Sequence, residues 1–242
     1  MNLKERNGQT AAEQEGPDNY ELSRNRAEQY FLQFDQEAII AAHHLQADDR
    51  WIYTRFLCDA YRIDRKTGHM QRSRDGFVTA EEAGHGDTLT IFDFLCHNMT
   101  AHGAAEAKAA DRTAPSLSGK WAPVNSLKGR PKTVGVGTGL FERHSAIFDR
   151  DQEGFRKGCE ALGGTAVPLG DIGYQIPVWG EVSVLIKFYA ADEEFPAQIT
   201  MLFDENLLSF IFYETVFYMA MFVLDRIVEK MKEASPSAEQ EG

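Results

Sequence analysis

An α+β fold, with an antiparallel sheet packed by a long apolar C-terminal helix and preceded by a helical N-terminal lobe, is predicted by three observations on this 242-residue sequence. Residues 175–203 hold three runs rich in β-branched and aromatic residues, joined by short turns, which is the pattern of consecutive antiparallel strands. Residues 207–224 are apolar except for Ser209, Glu214 and Thr215. Upstream, Tyr20, Leu22, Ala27, Tyr30, Phe31 and Phe34 recur at helical spacing.

The elements follow in order. Residues 1–17 are rich in Gln, Glu, Gly and Ala and end at Gly16-Pro17, and residues 233–242 have a similar composition. Both are expected to be disordered tails flanking one domain over 18–232. A helix over 20–34 and a second over 37–45 make an N-terminal helical hairpin. Residues 51–57, 60–64 and 69–71 suit a small meander turning at Lys66-Thr67-Gly68. Behind Gly84 and Gly86, the spacing of Leu89, Ile91, Phe92, Leu95, Cys96 and Met99 predicts a core helix over 88–99. Residues 100–138 form the longest irregular stretch, of a length usually met in functional or mobile loops. Two helical turns, 141–148 and 151–162, precede Gly163-Gly164, which suits a left-handed helix end. Strands 175–179, 182–189 and 197–203 come next, the last two joined by the acidic turn Asp192-Glu193-Glu194-Phe195-Pro196, and a final helix runs from about Leu207 to Lys232.

Composition narrows the function classes. With 25 Lys and Arg against 37 Asp and Glu the net charge is −12, which repels a phosphate backbone unless basic residues gather on one face. The one dense basic stretch, Lys120 to Lys132, has only Trp121 to stack a base, so nucleic acid is not the expected partner. Cys58, Cys96 and Cys159 are far apart and include no Cys-x-x-Cys pair, which suits buried thiols in a reducing compartment. The polar N-terminus lacks the apolar core of a secretory signal, so a cytoplasmic location is expected. Glu214 in the middle of the apolar run is costly in lipid and argues against a membrane span. A helix apolar on every face must instead be buried, or face a protein partner or a second copy of the chain through residues 207–232.

Candidate chemistry centres on the acidic turn. Pro196 restrains the backbone, and Asp192, Glu193 and Glu194 fan out from it. These oxygens could hold a hard cation if Asp171 and Asp204 converge on the same edge, or they could be the solvated residues of a turn in which Asp192 bonds its own backbone. His97 and His102 are five apart, without the spacing or the glutamate of a zinc protease. Gly135-Val136-Gly137-Thr138-Gly139 could present amides to an anion, but it lacks the Gly-Lys-Ser/Thr ending of a nucleotide loop. No residue pattern names a cofactor.

Gly163-Gly164, Leu169-Gly170-Asp171, Ile176-Pro177-Val178, Ala191 through Pro196, Leu202-Phe203-Asp204 and Glu214 resemble, in order and spacing, the uncharacterised family called domain of unknown function 3786. Gly119-Lys120-Trp121 is similar to an upstream landmark of that family, and the resemblance is specific over residues 119–228. Ala191 stands where the family usually has Gly, and Phe212-Tyr213 where Pro-Thr is usual. The resemblance implies a setting of metal or corrinoid cofactor chemistry in anaerobes. With it, Asp171, Asp192, Glu193, Glu194, Asp204 and Glu214 form the candidate ligand-binding set. The function expected is a non-enzymatic binding or accessory protein, the alternative being a metal-dependent hydrolase or transferase that uses Asp192, Glu193, Glu194 and Asp204.

Overall fold

The computed structural model describes residues 19–99, 116–132 and 140–234. The expected tail over 1–17, residues 235–242 of the expected tail over 233–242, His102 and the glycines at 135, 137 and 139 lie outside the described residues, whereas Glu233 and Ala234 of that second tail belong to the last helix. The fold is α+β. Helices α1 (Asn19–Phe31) and α2 (Gln36–Ala42) lead into a five-stranded meander. Its strands are β1 (Gln46–Ala47), β2 (Trp51–Phe56), β3 (Asp59–Asp64), β4 (Met70–Ser73) and β5 (Glu81–Glu82), hydrogen-bonded in that order and antiparallel throughout. Helix α3 (His85–Cys96) follows. A second antiparallel sheet comprises β6 (Trp121–Pro123), β7 (Thr165–Ala166), β8 (Ile172–Trp179), β9 (Val182–Tyr189) and β10 (Gln198–Asp204), in the order β6-β10-β9-β8-β7. Helices α4 (Glu142–Arg150) and α5 (Gln152–Ala161) lie between β6 and β7 in the chain, and α6 (Tyr213–Ala234) closes it.

The central strands form where the sequence alternates. In β2, Ile52, Thr54 and Phe56 are buried and their neighbours are not; in β3 the buried positions are Asp59, Tyr61 and Ile63. Strand β9 is buried at Val182, Val184, Leu185, Ile186 and Phe188 because it has strands on both sides and helices α4 and α5 near its sheet. The buried apolar residues form one cluster that runs from Ala27 to Met231 and joins both sheets to the helices. Stacking of Phe56 on Phe222, with ring centroids 5.1 Å apart, ties the first sheet to α6.

Each expected three-strand set is widened to five strands. The added strands β1, β5, β6 and β7 are two or three residues long, too short to carry a period-two pattern. The last helix also starts later than Leu207. Residues Leu207–Ser209 make a 3-10 turn, and α6 begins at Tyr213. The break is stabilised from elsewhere, because the amide of Phe212 donates to the Asp93 carboxylate of α3 at 2.6 Å. Nor is α6 apolar on every face, since Glu214, Tyr218 and Asp225 form an exposed stripe while Val216, Met219, Ala220, Val223, Leu224 and Ile227 are buried. Among the described residues, no helix is long and apolar enough to cross a membrane.

Candidate functional site

The β9–β10 hairpin is paired from Tyr189 with Gln198 onward, leaving the acidic turn to bridge eight residues. Asp192 organises that turn. Its carboxylate accepts from the amides of Glu194 (2.8 Å) and Phe195 (2.7 Å), and its own amide donates to the Phe195 carbonyl at 3.0 Å. These amide donors hold the Asp192 carboxyl below its ordinary range. Phe195 is 66% exposed.

Asp171, at the start of β8, accepts from the Ala190 amide at 2.9 Å. Gly170, at φ +63°, allows the chain to pass so close to β9 that an added Cβ would lie 2.4 Å from the Phe188 carbonyl oxygen. That approach sets Asp171 against the base of the turn. On the other side stands the start of α4, anchored by Ser145, whose hydroxyl donates to the Phe141 carbonyl (3.0 Å) and accepts the Ile199 amide (3.1 Å). Together these elements enclose a half-open cavity of about 700 Å³. Leu140, Phe141, Tyr189, Phe195 and Pro196 supply its apolar walls, and Glu142, Asp171 and Asp192 its carboxylates. No lysine or arginine is among its described lining residues, and a cation stands next to its wall at Lys187, whose Nζ lies 5.0 Å from the Tyr189 ring centroid.

Asp171 and Asp192 are thus brought together, while the remaining candidates are dispersed. Glu193 and Glu194 are exposed on the turn and do not line the cavity. Asp204 is at the far end of β10, six residues of extended strand from Gln198, or about 20 Å. There it is buried and accepts from the amides of Ser118 (3.0 Å), Gly119 (2.8 Å) and Asn206 (2.8 Å). Burial opposes its ionisation, and the amide donors outweigh burial, so its carboxyl lies below the ordinary range. Glu214 is exposed in the first turn of α6. Convergence of Asp192, Glu193, Glu194 and Asp204 on one ion does not occur, because β10 separates them. Among the described residues no group of three or more His, Cys, Asp or Glu could hold a metal ion. His97 instead faces Asp93 (3.3 Å) and the Phe212 ring (centroids 4.5 Å apart), and Lys128 of the basic stretch pairs with Glu205 at 2.8 Å.

A second polar centre has no counterpart among the expected site residues. Asp59 of β3 and Arg226 of α6 are each 2% exposed and meet at 2.5 Å. Arg72 and Arg74 approach the same carboxylate at 3.7 and 3.9 Å, and Glu229 pairs with both Arg226 and Arg74. Nearby, the Tyr61 hydroxyl donates to Asp87 at 3.1 Å, and burial raises both the Asp87 carboxyl and the Tyr61 phenol. The signal was present in the alternation of β3, which puts Asp59 on the same face as Tyr61 and Ile63, and in an arginine set between Leu224 and Ile227.

The model of the family described as Domain of unknown function (DUF3786) matches residues 35–226, well over half of the chain, and the chain belongs to that family. The match reaches back through α2 and the whole first sheet, beyond the 119–228 stretch that carries the sequence resemblance. No curated protein and no solved structure matches.

Proposed function

We propose that this member of the domain of unknown function 3786 family is a cytoplasmic, non-enzymatic binding or accessory protein, and that its ligand is an organic cation with a flat apolar body, held at the hairpin cavity. The observation that carries this reading is the pairing of aromatic walls with carboxylates, and no lysine or arginine among the described lining residues, in a space of about 700 Å³, within the usual range for small-molecule sites. Asp171 and Asp192 are already fixed by backbone amides, so little ordering is required when a cation arrives. Phe141 and Phe195 add aromatic rings to the same cavity, and the Tyr189 ring already carries a cation, with Lys187 Nζ 5.0 Å from its centroid.

The metal or corrinoid setting implied by the family resemblance is consistent with a service to such a cofactor system. The held molecule would then be an amine-bearing component and not the bare ion, for which the described carboxylates are too dispersed. The same dispersal leaves a metal-dependent hydrolase or transferase with little support. Pairing with a partner or a second copy through residues 207–232 would rest on Phe212 and Tyr218, the exposed aromatics of that segment.

Thermal unfolding with benzylamine, phenethylamine and the uncharged benzyl alcohol tests the reading. The two amines should raise the midpoint and the alcohol should not. Asp171→Asn with Asp192→Asn keeps the oxygen that accepts each amide while removing the charge, and should abolish the shift. Equal effects of amine and alcohol, or an undiminished shift in the double variant, would overturn it.

A further inference from the structure

The face of the first sheet turned away from the core carries arginine and aromatic side chains. Ile52, Thr54 and Phe56 of β2 are buried, so Trp51, Tyr53 and Arg55 lie on the other side. Arg62 of β3 is directly opposite Tyr53 on one neighbouring strand and Gln71 on the other. Its guanidinium carbon lies over two aromatic rings, 4.4 Å from the Trp51 centroid and 4.8 Å from that of Phe77. Its Nε donates to Gln71 Oε1 at 2.8 Å. Two rings and one hydrogen bond hold the group, and its Nη edge is left over. Among the described residues Arg62 makes no ion pair and no other hydrogen bond. Arg55, diagonal to it across the strand pair, has no ion pair either and donates only to the Cys58 carbonyl, at 3.3 Å.

The second ring is held there against its backbone preference. Phe77 has φ +68°, a left-handed conformation that a bulky side chain rarely adopts. Ser73 Oγ accepts the Phe77 amide at 2.8 Å, and the Asp75 carboxylate accepts the Ser73 hydroxyl (2.8 Å), the Thr79 amide (3.0 Å) and the Thr79 hydroxyl (2.6 Å). Such strain costs at least as much as one exposed cation–π contact returns, so the stability of the chain alone does not account for the loop. Val78, next along, is 85% exposed.

Charge decides the occupant. A planar guanidinium with its Nη edge free matches a carboxylate through two parallel hydrogen bonds. The chain's own carboxylates at the border of this face are already engaged, Asp48 by the Tyr53 hydroxyl and the amides of Arg50 and Trp51, Asp64 by Arg50 and the amides of Lys66 and Thr67. Together with the net charge of −12 they repel a dianion or a polyanion more strongly than a single carboxylate. The exposed Val78 beside Phe77 favours an apolar neighbour next to that carboxylate.

We propose that this face docks a segment of a partner protein in which a glutamate or aspartate is flanked by apolar residues, its carboxylate on the Nη edge of Arg62 and its apolar neighbours against Phe77 and Val78. The surface belongs to the first sheet and takes an anion, whereas the hairpin cavity belongs to the second and takes a cation.

Titration of the full chain with the peptides acetyl-Leu-Glu-Leu-amide and acetyl-Phe-Glu-Phe-amide, followed by the NMR signals of the Arg62 Nε–H and the Trp51 indole N–H, tests this. The same peptides with glutamine or phosphoserine in place of the glutamate are the comparison. At least one glutamate peptide should move both signals and bind about fivefold or more tightly than either counterpart. Arg62→Lys, which keeps the charge and loses the planar edge, should weaken binding several-fold, and so should Val78→Glu, which adds a carboxylate at an exposed position. The proposal fails if the glutamine or phosphoserine peptides bind as well as the glutamate ones, if neither glutamate peptide moves the signals at millimolar concentration, or if either variant binds like the wild type. Should Arg62→Lys lose its native circular dichroism, Val78→Glu decides alone. A chain that sediments as a dimer, and as a monomer once Val78→Glu is introduced, would assign the face to a second copy and overturn the proposal as well.

Discussion

Arg226 on the last helix and Asp59 on the first sheet are 167 positions apart in the chain and form a fully buried ion pair. Among the described residues it is the ion pair with the greatest separation along the chain, and it ties the C-terminal helix to the N-terminal meander. Removing one partner leaves the other charge without its match in a place water does not reach. Asp59→Leu or Arg226→Met should each cost about 3 kcal/mol, at the lower end of the usual range because Arg72 and Arg74 still face Asp59 and Glu229 still faces Arg226. The double variant should recover a large part of that loss, and urea unfolding of all four proteins gives the coupling directly.

Asp204 takes three backbone amides and the Ser118 hydroxyl. Asp204→Ala leaves those amides without an acceptor and should cost about 2–3 kcal/mol, with Asp204→Asn less harmful because one oxygen remains. The folded-state carboxyl lies below its ordinary value, so its contribution is present above that ordinary value and is lost as pH falls through the lower, folded value. The difference between wild type and Asp204→Asn should therefore shrink when unfolding is measured at pH 3 and below.

Asp87 behaves in the opposite sense. Burial raises its carboxyl above the ordinary 3.8, so its favourable contribution is present below that value and is lost as pH rises through the folded value. Asp87→Asn can still accept from the Tyr61 hydroxyl. It should match wild type at pH 3 and become progressively more stable than wild type as pH rises, levelling off once Asp87 is ionised in both states. A midpoint difference that does not change with pH would contradict this.

Gly170 combines φ +63° with the Phe188 carbonyl oxygen 2.4 Å from the position of an added Cβ. Gly170→Ala should cost about 2 kcal/mol or more, since both the conformation and the contact are unfavourable. Because Asp171 follows directly, the same variant should also weaken amine binding at the hairpin cavity, which the thermal-shift measurement reports.

The three thiols are unpaired. Burial is the main cause that raises each of them, Cys96 to about 12. A thiol reagent at pH 8 should modify half-buried Cys58 slowly and leave Cys96 and Cys159 untouched until the chain is unfolded, when all three react.

Strands β8, β9 and β10 and helices α1 to α5 were legible in the sequence because local rules determine them. The alternation of Ile52, Thr54 and Phe56 and the spacing of Ile91, Phe92 and Leu95 place an apolar face whatever lies opposite. The Asx bonds of Asp192 were legible for the same reason, being made within four residues. The short edge strands escaped because two or three residues carry no period, and each exists only through its longer neighbour. The start of α6 escaped because the acceptor of the Phe212 amide is Asp93, from another helix.

The sequence by itself determined the α+β class, the family, the acidic hairpin and the net negative charge that disfavours nucleic acid. Only the tertiary structure decided which carboxylates share a site. Strand β10 carries Asp204 about 20 Å from the turn, and the close passage at Gly170 brings Asp171 to it. Strand pairing and helix packing join residues separated by tens to hundreds of positions, as in Asp59 and Arg226. No periodicity along one chain encodes which charge will meet which.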